Sequence, residues 1–205
     1  MTKGTIVLAT KNTGKIREFR SLTKTLDVEI LPLDVFDLPP IEETGSTFEE
    51  NSLIKARTVA EAVGLATIAD DSGLEVDALN GRPGIYSARY SGPDATDASN
   101  VAKLLAELHD VPMEHRTAAF RCVVTLFDPT AEQGPLVHQT TARAEGLIID
   151  ERRGQNGFGY DPVFFVSHLG KTFAELEGET KNRLSHRGKA VRLMITFMKH
   201  LFDAS

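Results

Sequence analysis

A single cysteine in 205 residues leaves no internal disulfide framework. That residue, Cys122, lies in the apolar run Phe120-Arg121-Cys122-Val123-Val124, where a thiol packs as core and is not placed as a nucleophile. Apolar runs as long as the roughly 18 residues of a membrane helix are missing, so no membrane partner is expected. The start, Met1-Thr2-Lys3-Gly4-Thr5, lacks the apolar segment of a secretory leader, and a reducing, cytoplasmic setting is the expectation. A basic excess is missing too: 23 Lys and Arg stand against 29 Asp and Glu, a net charge of −6. Proteins that coat nucleic acid carry a broad basic face, so nucleic acid is not the expected partner. A small anion is still open, because a local cluster of Lys and Arg makes a positive site on an acidic protein. Internal repeats, low-complexity tracts and long linkers are absent. The length and the 41% hydrophobic content suit a single domain over residues 1–205, in one body or two lobes.

What is present is an alternation of strands and helices. Thr5 to Thr10 has the composition of a buried strand, and Val28 to Leu33 that of a second. Between them Ile16, Phe19, Leu22 and Leu26 fall on one helical face. Asp34 to Gly45, with the proline pair Pro39-Pro40, is a loop. Thr47 and Glu50 have capping-box spacing for a helix to about Val63. Gly81 to Pro93 has an irregular composition. Asp97 is placed to cap a helix carrying Val101, Leu104, Leu105 and Leu108. Thr117 to Phe127 and Val137 to Ile148 form two long strands joined around Asp128-Pro129 and Gly134-Pro135. Ser185 caps a final helix with Val191, Ile195, Met198 and Phe202 inward. This order implies an α/β fold with a mixed sheet.

The most informative stretch is Asp70-Asp71-Ser72-Gly73, directly after the strand-like Leu65 to Ala69. A strand ending there presents two adjacent carboxylates and a hydroxyl, with a glycine to turn the chain. Neighbouring carboxylates repel and are costly to desolvate, which a metal ion or a proton-transfer role would explain. Asp-Asp-Ser-Gly is also good turn chemistry, so both readings stand.

Three segments could bind phosphate or a base. Thr10-Lys11-Asn12-Thr13-Gly14-Lys15 lies between a strand and a helix, where free amides and the helix dipole favour anions. It is not a Walker loop: Ala9 stands where the first glycine belongs and Ile16 follows Lys15. Lys181 to Lys189, with Ser185, His186 and Arg187 at a helix start, is either a solvated charged cap or a set of converging donors. Gly154 to Pro162 holds Gly157, Phe158, Gly159, Tyr160 and Asp161; its aromatics either stack on a base or pack in the core.

Together these segments resemble one family, the Ham1-like inosine/xanthosine triphosphate pyrophosphatases. The resemblance rests on Thr10 to Lys15, Glu42 to Gly45 with Thr47 to Asn51, and Ala69 to Leu74. Pro83 to Tyr90, Gly157 to Pro162 and Ser185 to Gly188 complete it, in family order along nearly the whole chain. The resemblance implies an elongated mixed β-sheet flanked by helices, in two lobes with a central active cleft, assembled as a homodimer. It implies Mg²⁺-dependent hydrolysis of ITP, dITP and XTP to the monophosphate and pyrophosphate, cleansing the nucleotide pool. Glu42 and Asp71 become the metal carboxylates, and Asp71 also the proton acceptor for water. Thr10, Lys11, Asn12, Thr13, Gly14, Lys15, Ser72, Phe158, Gly159, Tyr160, Asp161, Lys181, His186 and Arg187 become the substrate-binding set. His186 or Arg187 could supply a donor to the 6-oxo group that distinguishes hypoxanthine from adenine, with Phe158 stacking on the base.

Two other readings compete: a Maf-like nucleotide pyrophosphatase of different base specificity, and a non-catalytic nucleotide sensor. A Nudix hydrolase is set aside because no helix carries the Arg-Glu-x-x-Glu-Glu pattern.

Overall fold

The computed structural model describes residues 4–24 and 28–203, with side chains to His200. Leu26 and the side chain of Phe202, both expected on inward helix faces, lie outside the described part. A seven-stranded mixed sheet in the order β2-β1-β3-β4-β5-β6-β7 organises the chain. Its strands are β1 (Gly4–Leu8), β2 (Val28–Pro32), β3 (Thr67–Val76), β4 (Thr117–Asp128), β5 (Leu136–Ile148), β6 (Phe164–Val166) and β7 (Lys171–Thr172). The helices are α1 (Thr13–Thr23), α2 (Phe48–Val63), α3 (Asp97–Glu107), α4 (Gly178–Leu184) and α5 (His186–Asp203). The expected α/β class with a mixed sheet is what the chain adopts. None of the described helices is long and apolar enough to cross a membrane. The chain divides into two compact units: residues 1–71, 122–142 and 187–205, and residues 72–121 and 143–186.

In the first unit β1 runs parallel to both β2 and β3, with Val7 opposite Leu31 and Thr67. Strand side chains alternate between faces, and the two layers of core record this. Ile6, Leu8 and Ile68 pack with Phe19 of α1 and with Ala190, Val191 and Met194 of α5. Val7, Ala9 and Ala69 pack with Ala56, Val59 and Ala60 of α2. The buried Cys122 belongs to the α1/α5 layer, as its apolar neighbours led us to expect. Burial, with Asp70 adding to it, pushes its thiol pKa up to about 12, which keeps it protonated and inert. Helix α2 begins where Thr47 accepts the Glu50 N–H at 3.1 Å. The reciprocal half of the expected box is displaced: the Glu50 carboxylate takes the Ser46 N–H at 2.6 Å and the Ser46 hydroxyl at 2.8 Å. Gly64 ends the helix in left-handed backbone, its N–H on Ala60 O at 2.8 Å.

The second unit is built on Leu74, Val76, Leu104, Leu108, Phe120, Phe164 and Phe173. The Phe120 ring lies 4.6 Å from that of Phe164 and 4.7 Å from the His186 imidazole, stacked at 9°. Helix α3 corrects the sequence reading by one residue. Thr96 is the cap, in a reciprocal pair with Ser99, and Asp97 is the first helical residue. Short helix α4, not foreseen, precedes Ser185. The extended backbone of Ser185 separates α4 from α5. Gly154 sits at φ +84°, and a Cβ there would stand 2.2 Å from the Ala174 carbonyl carbon. Gly154→Ala therefore meets both backbone strain and an unyielding neighbour. It is expected to cost more than about 2 kcal/mol and to lower the calorimetric melting temperature by several degrees.

Candidate active site

The structure overturns one local expectation. β3 does not end at Asp70; it continues through Asp71, Ser72 and Gly73 to Val76. The physical reason is that the two carboxylates face opposite sides of the sheet and each is met by its own cations. Neither a turn nor a shared ion is needed to separate them.

On the α1/α5 side, Asp70 Oδ2 lies 2.9 Å from Lys15 Nζ and accepts from Arg187 Nε at 3.1 Å. Arg187 also donates through Nη1 to Glu18 of α1. Asp70 and Arg187 are almost fully buried. Burial alone would raise the Asp70 pKa. Lys15, then Arg187 and Lys55, outweigh it and hold the carboxyl far below the carboxylate range. Burial would lower the Arg187 pKa, and Asp70 and Glu18 reverse that and raise it.

On the α2 side, Lys55 Nζ donates to Asp71 Oδ1 at 3.0 Å and to Glu43 Oε1 at 2.8 Å. Burial pushes the Asp71 pKa up, only partly opposed by Lys55 and Lys15. The Lys55 pKa is raised. Burial acts against this, but Asp71, Asp70 and Glu43 prevail. Asp71 Oδ2 is buried and makes no hydrogen bond. It is an acceptor with nothing to accept, the condition that a proton, a water or a cation relieves. Glu42 is exposed, and it is its neighbour Glu43 that turns to Lys55.

The Thr10 to Lys15 segment is a helix cap, as its position predicted. Asn12 caps α1, its Oδ1 accepting the Lys15 N–H at 3.0 Å, while Thr10 Oγ1 accepts the Asn12 N–H at 3.2 Å. Thr13 and Gly14 then open the first turn, where amides lack intrahelical partners. Lys11, Asn12 and Thr13 are exposed, Gly14 is buried, and Lys15 is half-buried.

The remaining residues fall in the second unit. Lys181 Nζ lies 2.7 Å from Asp161 Oδ2 and 4.9 Å from the centre of the Phe158 ring. Asp161 Oδ2 also accepts the Phe158 N–H at 2.8 Å, and Gly159 N–H donates to Asp97 Oδ2 at 2.7 Å. Tyr160 is a core residue: it is buried, and its hydroxyl donates to Ser87 O at 2.8 Å. His186 is buried against Phe120, and Ser72 is half-buried on β3.

Sequence reading missed Glu18, Glu43, Lys55 and Asp97. For Lys55 a signal existed, because it falls in the buried α2 stripe of Phe48, Ser52, Ala56 and Val59. A lysine at such a position needs an acidic partner. Glu18 and Glu43 gave none, since exposed-looking carboxylates are common.

The sequence pattern of the Ham1 family matches residues 6–197. The dITP/XTP pyrophosphatase of Geobacter sulfurreducens is 52% identical over 190 residues, 92% of this chain and 94% of that protein. That of Methylococcus capsulatus is 49% identical over 196 residues, 96% of each chain. The solved structure of a HAM1 protein from Coxiella burnetii aligns at a TM-score of 0.87 and 44% identity, covering 96% of this chain and 99% of that one. Sequence and backbone agree over almost the full length, so the chain belongs to the Ham1 family.

Proposed function

We propose that this chain hydrolyses non-standard purine nucleoside triphosphates, ITP, dITP and XTP, to the monophosphate and pyrophosphate. The activity cleanses the nucleotide pool of the cytoplasm, and the chain works as a homodimer with Mg²⁺. Two relatives named dITP/XTP pyrophosphatase support the substrate class. The observation in the chain itself that carries the reading is the buried, unbonded Oδ2 of Asp71.

That atom also tests the metal. Among the described residues no three His, Cys, Asp or Glu gather to hold an ion. Mg²⁺ uses one or two carboxylates together with substrate phosphate and water, and the unbonded oxygen of Asp71 is a donor of that kind. Asp71, with Glu42, would hold it. When bound, the ion neutralises phosphate charge and acidifies water.

The chain's own groups do the rest. The first-turn amides of α1 and Lys15 receive the triphosphate, where dipole and charge favour an anion. Asp71 Oδ2 takes a proton from a water as that water's oxygen bonds to the α-phosphorus. The α–β bridging bond then breaks and pyrophosphate leaves. Lys55 holds the other oxygen, Oδ1, so the carboxylate cannot turn its free atom away. Phosphoryl transfer of this kind rests on positioning and charge. Phe158, Gly159, Asp161, Lys181 and His186 are assigned to the nucleoside. Arg187 acts by holding Asp70.

Pyrophosphate release from ITP, XTP, dITP, ATP and GTP, with and without Mg²⁺, tests the reading. Metal-dependent release from the first three, at least about tenfold above the last two, is expected. Equal rates on all five would move the chain to a pyrophosphatase of another specificity. Tight ITP binding without turnover would make it a sensor.

A further inference from the structure

Phe158 stands between two glycines in left-handed backbone, Gly157 at φ +78° and Gly159 at φ +62°. Such a loop is costly for other residues and has alternatives open to it unless it is tied. Both amides next to the ring are tied by carboxylates. The Phe158 N–H goes to Asp161 within the loop, and the Gly159 N–H goes to Asp97, 62 residues earlier at the start of α3. N–H bonds to a carboxylate are short and strong for their class. Arg152 Nη2 adds a second tie to α3, donating to Ala98 O at 3.0 Å. Loop and helix line a cavity of about 230 Å³, with Asp97, Val101, Gly157, Phe158 and Pro162 in its wall. Asp97 is not needed to cap α3, because Thr96 and Ser99 do that. Its carboxylate is committed to the loop.

We propose that Asp97 is a positioning residue for nucleoside recognition: through the Gly159 N–H it holds the Phe158 ring at the angle the base requires. This rests on the reading of the chain as a purine nucleoside triphosphate pyrophosphatase. Losing the tie disperses the ring and weakens binding of the nucleoside in ground and transition state alike, so KM carries the loss and kcat does not. An asparagine oxygen can accept the same N–H, so Asp97→Asn keeps the tie that Asp97→Ala removes.

Two measurements test this. In steady-state ITP hydrolysis, Asp97→Ala is expected to raise KM by about tenfold with kcat within about threefold, and Asp97→Asn to restore KM. Thr96→Ala, which damages the α3 cap alone, should lower the melting temperature and leave KM unchanged. The second readout needs no turnover. The chain has no tryptophan, so the indole of Phe158→Trp reports on this loop alone. Adding Asp97→Ala should make acrylamide quench that indole about twice as efficiently. Unchanged KM, or unchanged quenching, overturns the proposal. Wild-type protein that releases no pyrophosphate overturns the functional reading instead, and the quenching result still judges Asp97.

Discussion

Asp71→Asn is expected to cut pyrophosphate release from ITP by about 10³-fold while nucleotide binding persists, the scale of losing a positioned general base. The substitution keeps the size of the side chain and its acceptor toward Lys55, and removes the charge and the basic lone pair at Oδ2. The fold is expected to tolerate it, because burial already disfavours the charged form of Asp71 and Glu43 still neutralises Lys55. Single-turnover rates together with equilibrium binding of ITP check this. A variant that turns over at more than a tenth of the wild-type rate would remove Asp71 from proton transfer.

Arg187→Met is expected to act on stability as much as on activity. It strips the guanidinium from two carboxylates, Asp70 and Glu18, and the first of these is buried. Breaking a buried pair from one side costs about 3–5 kcal/mol, or roughly 6–20 °C in melting temperature for a chain of this size. Pairing the change with Asp70→Asn should recover part of that, because the stranded charge is gone. The acid limb adds a second signature. The Asp70 carboxyl is held below its ordinary 3.8, so its stabilisation is complete above that pH and is lost only as the pH falls through the lower folded value. In Arg187→Met that loss should begin at higher pH. Melting temperatures of the single and double variants across pH decide the matter. A single variant as stable as wild type would return Arg187 to the role of base reader that its position in Ser-His-Arg first suggested.

Much of this was legible in the chain. Glycines, caps and apolar periods place α1, α2 and the long strands β4 and β5 close to where they lie, because those signals are local. The Asp70-Asp71-Ser72-Gly73 stretch stands out in the sequence, but its backbone differs from the local expectation. Local chemistry argues for a turn there. The cations that allow a strand to carry both carboxylates come from Lys15, Lys55 and Arg187, and only the fold brings them in. The same limit hid Asp97, whose partner is a backbone N–H with no sequence signature. Tyr160 and Arg187, which the resemblance puts in the substrate set, are also buried with protein partners, which composition does not foretell.

The placement of Asp70 and Asp71 on one uninterrupted strand also bears on how this sequence can change over time. Substitutions on one side of the sheet act mainly on that side, since each carboxylate has its own ion partners. A single-residue insertion or deletion in the first half of β3 is another matter. It would rotate every following side chain to the opposite face, sending Asp71 toward Arg187 and Asp70 toward Lys55. A connection that carries none of these groups, such as 129–135 between β4 and β5, can drift in length. The frame of this one strand cannot, and length variants between Thr67 and Asp71 should be lethal to activity even where they fold.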